Sequence, residues 1–257
     1  MLNKLLAGAA TAVLVALLWP AAAGASHSWN GYHWARTSNP FTLKLGDNLD
    51  ANWDAILATT SSDWSKSTVL DTTIVPGATK PRTCKATTGQ DEVCNARYGR
   101  TGWLGVAQIW VDGSKHILKG TVKLNDTYFD TPQYDTTAWR NLVSCQEVGH
   151  TLGLDHQDTN FDNTNLGTCM DYTSNPLGPP DNEHPNKHDY DELVTIYTHL
   201  DSYTTVGATA AHARLADVGN DASTWGRQVE GSRASGYSTY VHDFGQGNLV
   251  VTFAIWA

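Results

Sequence analysis

The stretch that decides the fold is residues 145–156, which read Cys-Gln-Glu-Val-Gly-His-Thr-Leu-Gly-Leu-Asp-His. Gln146 and His150 are one helical turn apart, so their side chains lie on the same face of a helix. Glu147 lies beside them on the rim of that face. Gly153 allows the chain to turn sharply after the helix, which brings the final histidine back toward the first two side chains. Two imidazoles, a carboxylate and a turn glycine at this spacing are typical of a catalytic zinc site.

The segments around this helix predict an α+β domain. Strand patterns cover residues 41–45, 69–75, 103–111 and 117–124. A helical spacing of apolar residues follows Asp47 and extends from Leu49 to Trp64. The helix that carries the motif is expected to begin near Asp135 and to end at about Leu152. The order strand, helix, strands, helix is that of a mixed sheet with two major helices.

The sequence beyond Asp201 differs in composition from the rest of the chain. Residues 204–216 mix small, polar and apolar side chains. Tyr237–Trp256 predicts a β-hairpin that turns at Gly-Gln-Gly-Asn, residues 245–248. We expect residues 204–257 to form a small β-rich extension packed on the main domain, because so short a segment supports little core of its own.

The first 25 residues predict a signal peptide. Lys4 supplies the positive start, Leu5–Leu18 is an apolar run, and small residues at 23–25 form a cleavage site. The run is shorter than the roughly 20 apolar residues of a membrane span. We therefore expect a secreted, extracellular chain that begins near Ser26 and has no membrane partner after cleavage. An uncleaved anchor is the alternative.

The composition is that of a globular protein and argues against one class of partner. The 257 residues are 40% hydrophobic and 17% charged, which suits one large domain with an appendage and is too apolar for disorder. The formal net charge of −9 argues against a nucleic-acid partner, because such binding needs clustered Lys and Arg. The oligomeric state stays open.

Export makes disulfide bonds the expected state of the cysteines. They are Cys84, Cys94, Cys145 and Cys169, and three pairings are possible. Cys84 and Cys94 flank a short polar loop that a disulfide could close. Cys145 and Cys169 each directly precede a residue of the candidate site.

The motif and two later segments resemble the metzincin metalloproteases, and the matrixin branch most closely. Residues 146–156 match H-E-x-x-H-x-x-G-x-x-H at every fixed position except the first, where Gln146 stands in place of histidine. Gly167–Tyr172 is similar to the methionine turn of that family, with Met170 as its methionine. Asp189–Tyr197 is similar to the closing helix. The resemblance covers about residues 30–203, with its specific part in the motif, and implies a catalytic domain over residues 26–203.

The resemblance implies a mixed, twisted sheet, a long active-site helix, a Met-turn and a C-terminal closing helix. It also implies a Zn²⁺ cofactor. The implied metal ligands are Gln146, His150 and His156. Glu147 would act as general base, and Tyr172 would stabilise the oxyanion. Because the Met-turn lies beneath the helix in this family, Cys145 and Cys169 are expected to approach each other.

The glutamine at position 146 allows three interpretations. Its amide oxygen is a neutral donor, as imidazole nitrogen is, so Gln146 can be a genuine third ligand that leaves the charge of the site unchanged. A nearby histidine, His184 or His188, can substitute for it. The third interpretation is a site that is poor in metal and catalytically inactive.

Histidines outside the motif are expected to be structural or surface residues, since isolated histidines usually are. They are His27, His33, His116, His199, His212 and His242.

The predicted function is that of a secreted zinc endopeptidase that hydrolyses a protein or peptide substrate. The substrate would pair its backbone with an edge strand, for which the most plausible segment is Lys119–Asn125. The alternative is a catalytically inactive binding module that keeps the metzincin scaffold. A structural cell-surface protein is a third interpretation.

Overall fold

The computed structural model describes residues 26–209 and 215–257, so the predicted signal peptide and His212 lie outside the described residues. Within these ranges the chain forms nine β-strands and four α-helices. The strands are β1 (His33–Trp34), β2 (Phe41–Asn48), β3 (Leu70–Pro76), β4 (Asp91–Ala96), β5 (Trp103–Val111), β6 (His116–Asn125), β7 (Arg227–Ser232), β8 (Tyr237–Asp243) and β9 (Leu249–Trp256). The helices are α1 (Asp54–Trp64), α2 (Asp126–Phe129), α3 (Thr137–Thr151) and α4 (Lys187–Ile196).

The strands join into one mixed sheet. Eight of those described follow the order β3-β2-β4-β6-β5-β9-β8-β7, and β1 pairs separately with β6. Strands β3, β2, β4 and β6 run parallel, whereas β5, β9, β8 and β7 alternate in direction. A pair of parallel strands needs a crossover connection, and α1 supplies it between β2 and β3. The predicted α+β fold with a mixed sheet is confirmed.

Helix α3 packs on the sheet against β5 and β6. Its buried residues Leu142, Val143 and Val148 share one core with the strand residues Val122 and Leu124. Every residue of β5 is buried, because a second apolar cluster covers its other face. This second cluster consists of Trp103, Val106, Trp225, Tyr240, Ala254 and Trp256. Burial on both faces explains why β5 reads as a nearly continuous apolar run.

The ends of α3 are set by a cap and by a turn glycine. Thr136 is the N-cap, and its hydroxyl accepts a hydrogen bond from Trp139 N at 3.2 Å. The helix therefore begins slightly later than the predicted start near Asp135. At the other end Gly153 has a φ of 95°, in the left-handed region. The carbonyl oxygen of Tyr32 stands where a Cβ of residue 153 would lie, so only glycine fits.

Helix α4 corresponds to the segment predicted at Asp189–Tyr197. It begins at Lys187 because Asn186 and Asp189 form a reciprocal capping box. None of the helices in residues 26–209 and 215–257 is long and apolar enough to cross a membrane.

The C-terminal strands extend the main sheet. Strands β8 and β9 are antiparallel neighbours, and the turn between them closes with a hydrogen bond from Phe244 N to Asn248 O at 2.9 Å. Strand β9 pairs in turn with β5, from Leu249 opposite Val111 to Trp256 opposite Trp103. The division of the chain at residue 203 stays a prediction.

The predicted substrate edge at Lys119–Asn125 is wrong. This segment lies in β6, which is hydrogen-bonded to β4 on one side and to β5 on the other. Sequence periodicity indicates a strand, but it does not indicate the neighbours of that strand. Strand β5 is not an edge either. It pairs with β6 on one side and with β9, a strand of the C-terminal extension, on the other.

The glycine at position 153 yields a test of the turn after α3. Gly153→Ala is expected to lower the free energy of unfolding by about 2–5 kcal/mol, because a strained φ adds to a collision with the backbone of Tyr32. Gly99→Ala is the matched control, since Gly99 has a φ of 90° and a Cβ there would meet nothing within 4 Å. It is expected to lose about 1 kcal/mol. Urea unfolding measures both, and equal losses would contradict the role of the close approach.

A buried carboxyl group lies next to the last residue of α3. Asp91 accepts a hydrogen bond from the hydroxyl of Thr151 and is fully buried. Burial raises the pKa of the Asp91 carboxyl from 3.8 to about 7. The folded protein therefore keeps this proton up to about pH 7, whereas the unfolded chain releases it near pH 4. By linkage, the contribution of Asp91 to stability falls as the pH rises through this interval.

Asp91→Asn keeps the size of the side chain and removes the titration. The free energy of unfolding of the variant, relative to wild type, is expected to rise by about 1–4 kcal/mol between about pH 4 and about pH 8. Denaturant titrations at several pH values measure this difference. Asp71→Asn, at an exposed position, is the control for loss of one negative charge. A relative stability that does not change with pH would rule out a strongly perturbed carboxyl at position 91.

Candidate metal centre

The candidate site lies on the last turns of α3 and on the turn that follows. Gln146, Glu147 and His150 are all buried, and the helix places the first and last of them on one face. A hydrogen bond from Gly153 N to His150 O, at 3.0 Å, closes the turn. The chain then reverses, and the ring of His156 comes to 4.5 Å from that of His150, centroid to centroid. The structure thus brings the predicted histidines together.

One ring nitrogen of each histidine is available. His150 Nδ1 lies 2.9 Å from the carbonyl oxygen of Leu154, which can only accept, so Nδ1 carries the proton and Nε2 has a free lone pair. His156 Nδ1 lies 3.2 Å from Asp155 Oδ1. Both ring nitrogens of His156 are buried and have no hydrogen-bond partner within the described ranges. The contact that orients the His150 ring and leaves its other nitrogen bare is the usual arrangement of a metal-binding imidazole.

The amide of Gln146 presents its oxygen. Its Nε2 lies 2.9 Å from the carbonyl oxygen of Cys169. Because a carbonyl oxygen only accepts, the nitrogen must face Cys169 and the oxygen must point elsewhere. Gln146 Oε1 is buried, and no partner for it exists in the part of the chain that the structure describes. It is a free neutral oxygen donor, which a role as third ligand requires.

Burial controls the charges of His150 and Glu147. Together with the neighbouring ring of His156, it lowers the pKa of His150 to about 3, so this imidazole is neutral at physiological pH. Burial raises the pKa of Glu147 well above the ordinary range of a carboxyl group, against the opposing effect of a backbone hydrogen bond from Ala107. Gly105 makes room for this carboxyl group, since a Cβ there would lie 2.7 Å from Glu147 Oε1.

Met170 and a disulfide form the floor beneath α3. Of the three possible pairings, the structure has Cys84 joined to Cys94 and Cys145 joined to Cys169, and the second pair is the one that the family resemblance implied. Met170 is fully buried, and a Cβ at Gly149 would lie 2.5 Å from its sulfur. A helix glycine and a methionine that touch in this way bring the segment around Met170 against α3. The disulfide holds the two segments together covalently.

Three aromatic rings cover the histidines. Phe253 of β9 stacks on His150, with ring centroids 4.2 Å apart and an angle of 6° between the planes. Tyr172 lies 4.5 Å from His156, and Tyr237 of β8 lies 5.0 Å from Tyr172. All three aromatic side chains are buried. Burial also raises the pKa of Tyr172 well above its ordinary range, so its hydroxyl keeps its proton.

Tyr237 and Phe253 lie outside the site that the sequence predicts. Their strands were predicted, but a hairpin pattern does not say which element its inner face will meet. A cavity of about 410 Å³ lies next to these aromatic residues, which form the cover of the site together with Tyr172. Its walls include Phe161, which stacks on Tyr172 at 5.0 Å, and Ile255 of β9.

The histidines considered as substitutes for Gln146 are engaged elsewhere. His184 Nδ1 lies 2.6 Å from Asp63 Oδ2, and nearly half of the side chain is exposed. His188 stacks on His27, with ring centroids 4.8 Å apart. Both follow the Met-turn closely in sequence, but proximity along the chain does not place a side chain beside α3.

Comparisons with known proteins leave the assignment to the geometry of the site. No protein-family model matches the chain, and no curated protein matches its sequence. Among solved structures, one titled "Structure of Myroilysin" aligns with a TM-score of 0.36 and 12% sequence identity. The alignment covers 63% of this chain and 82% of that chain. A similarity this low supports no conclusion about function.

Proposed function

We propose that this protein is a secreted zinc-dependent endopeptidase of the metzincin type, with Gln146, His150 and His156 as its zinc ligands. The proposal rests on the potential metal-binding atoms of these three side chains that make no hydrogen bond within the protein. Gln146 uses its amide nitrogen and His150 its Nδ1, so an amide oxygen and an imidazole Nε2 are free. His156 Nε2 is unpaired among the described residues as well.

The chemistry of this donor set fits zinc. Zinc takes nitrogen and oxygen donors in tetrahedral sites, and three protein ligands with one open position are typical of catalytic sites. Unpaired buried polar atoms each destabilise a fold by about 1–3 kcal/mol, which a bound cation would offset. When bound, zinc supplies acidification of a water molecule and polarisation of a carbonyl group.

The protein residues supply proton transfer and charge stabilisation. Glu147 Oε2 is buried and finds no partner in the described residues, and burial alone favours the protonated acid. A cation bound beside it would favour the carboxylate, which could then take a proton from the attacking water. The same carboxyl group then donates that proton to the leaving amine. Tyr172, close to His156, keeps its hydroxyl proton and can donate a hydrogen bond to the oxyanion.

The C-terminal hairpin determines whether a substrate can reach this centre. An extended peptide binds a protease by adding a strand to a sheet edge. The strand beside Glu147 is β5, and β9 pairs with it along its length. Phe253 lies opposite Ala107 in that pairing and stacks on His150. We therefore infer that β8 and β9 hold the enzyme in a closed form and must withdraw before a peptide can bind.

The same cover is the observation that favours the second candidate, a catalytically inactive binding module on a metzincin scaffold. A site that is permanently closed needs neither an ionised Glu147 nor a route for water. The two candidates differ in the effect of removing this carboxylate. Only the enzyme loses its function while it stays folded, and the same test separates the enzyme from a structural cell-surface protein.

Zinc content tests the ligand set. His150→Ala is expected to lower the zinc content of the purified chain by about one ion per chain, because one of three protein ligands is lost. Gln146→His is expected to tighten zinc binding at the same site, since imidazole is the stronger donor. Elemental analysis after equilibration with zinc and desalting measures the first effect, and competition with a chelator measures the second. His242→Ala is the control histidine, and zinc content equal in wild type and His150→Ala would refute the proposal.

Peptide hydrolysis tests the cover and the base together. Phe253→Ala is expected to raise hydrolysis of an internally quenched peptide library about tenfold over wild type, because it removes the ring that packs β9 on His150 and so favours withdrawal of the hairpin. Adding Glu147→Gln is expected to reduce that activity by about 10²–10⁴-fold. Ile255→Ala is the matched control, since Ile255 is a buried residue of the same strand and lies opposite Gly105. A folded, zinc-loaded Phe253→Ala protein without hydrolysis would favour the binding module.

A further inference from the structure

A second group of potential metal ligands assembles far from α3 in the sequence. His33 lies in β1, His116 begins β6, and His199 and Asp201 follow α4. These histidines are scattered along the chain, and the sequence predicts a structural or surface role for each of them. The fold brings all four side chains together around the carboxylate of Asp201.

Three of the four residues already form a potential metal-binding group: His33, His116 and Asp201 each offer one donor atom, and these atoms all lie within 4.8 Å of one another. His33 Nε2 lies 3.1 Å from His199 Nε2 and 3.7 Å from Asp201 Oδ2. Asp201 Oδ1 lies 3.3 Å from His116 Nε2 and 3.6 Å from His199 Nε2. Zinc bonds of about 2.0–2.1 Å in a tetrahedron set the ligand atoms about 3.3 Å apart. His199 Nε2 stands beside this group, and its half-exposed side chain would shift to complete a tetrahedron.

The ring orientations also suit a shared ion. The plane of His33 makes an angle of 84° with that of His116 and 87° with that of His199. Rings at right angles can direct their in-plane lone pairs at one point. The group His27, His188 and Asp189 offers a contrast, because its two imidazoles are stacked at 19° and lie in nearly parallel planes.

Neighbouring groups fix the outer sides of these ligands. His33 Nδ1 lies 2.9 Å from the carbonyl oxygen of Gly31, so its proton is there and Nε2 has a free lone pair. His116 Nδ1 lies 2.5 Å from the hydroxyl of Tyr203. Arg36 donates to Asp201 Oδ2 from its backbone nitrogen and from Nη1, at 3.1 and 3.0 Å. Such outer contacts orient the first ligands of metal sites.

We propose that His33, His116, His199 and Asp201 bind a structural zinc ion, separate from the candidate catalytic centre. Three imidazole nitrogens and one carboxylate oxygen complete a tetrahedron, which leaves no open position for a substrate and makes the site structural. Zinc would join three segments that are remote in sequence: β1, the start of β6 and the chain after α4.

The proposed ion would also support the end of α3. Trp34, next to His33, donates from its indole nitrogen to the carbonyl oxygen of Thr151 at 2.9 Å. Tyr197, two residues before His199, donates from its hydroxyl to the carbonyl oxygen of Leu152 at 3.0 Å. The two segments that carry these bonds would thus be joined by the metal, which stiffens the helix end that carries the first centre.

Zinc counting on the mature chain, residues 26–257, separates the two centres. Wild type is expected to hold about two zinc ions, His199→Ala and Asp201→Asn about one each, and the double variant His150→Ala/His199→Ala about none. His199 is chosen because half of its side chain is exposed, so its loss removes little packing. His242→Ala is the control, and circular dichroism checks that each variant is folded.

The outcomes distinguish the two proposals. Zinc that is kept in His199→Ala and Asp201→Asn but lost in His150→Ala would overturn the structural site and leave the catalytic one. The reverse pattern would support the structural site alone. In the His150→Ala protein, X-ray absorption at the zinc edge is expected to show imidazole scattering and about four nitrogen or oxygen donors at about 2.0–2.1 Å. Sulfur donors or fewer than two imidazoles there would also overturn the proposal.

Discussion

The end of helix α3 is the constraint on which the rest of the site depends. A helix leaves its last carbonyl oxygens without partners in the helix itself. Here the indole of Trp34 binds the carbonyl of Thr151, and the hydroxyl of Tyr197 binds that of Leu152. Gly153 then turns the chain with a φ of 95°. Because the helix stops at this point, His156 returns to the ring of His150.

Both candidate metal centres include residues at the end of α3 or in segments that are hydrogen-bonded to it. The first uses residues on its last turns and in the turn that follows. The second joins the segments that supply Trp34 and Tyr197 to it. Each centre also follows one hydrogen-bonding principle, in which a carbonyl oxygen holds one nitrogen of a side chain and leaves another donor atom free.

The C-terminal strands give the molecule its second notable property, a closed site. Phe253 lies against His150, and Tyr237 lies against Tyr172. The same strands bury the outer face of β5 through the tryptophan-rich second cluster. The cover is therefore part of the main sheet, and its removal exposes apolar surface as well as the site.

The sequence alone determined the local parts of the protein: the helix with Gln146, Glu147 and His150 on it, the turn at Gly153 and the strand patterns. These follow from periodicity and turn chemistry within about 20 residues. The family resemblance supplied the pairing of Cys145 with Cys169. Only the tertiary structure decided that β9 covers β5, that Lys119–Asn125 is internal, and that three scattered histidines surround Asp201. Strand order and clusters of distant residues depend on contacts between remote segments, and no local pattern encodes which segments meet.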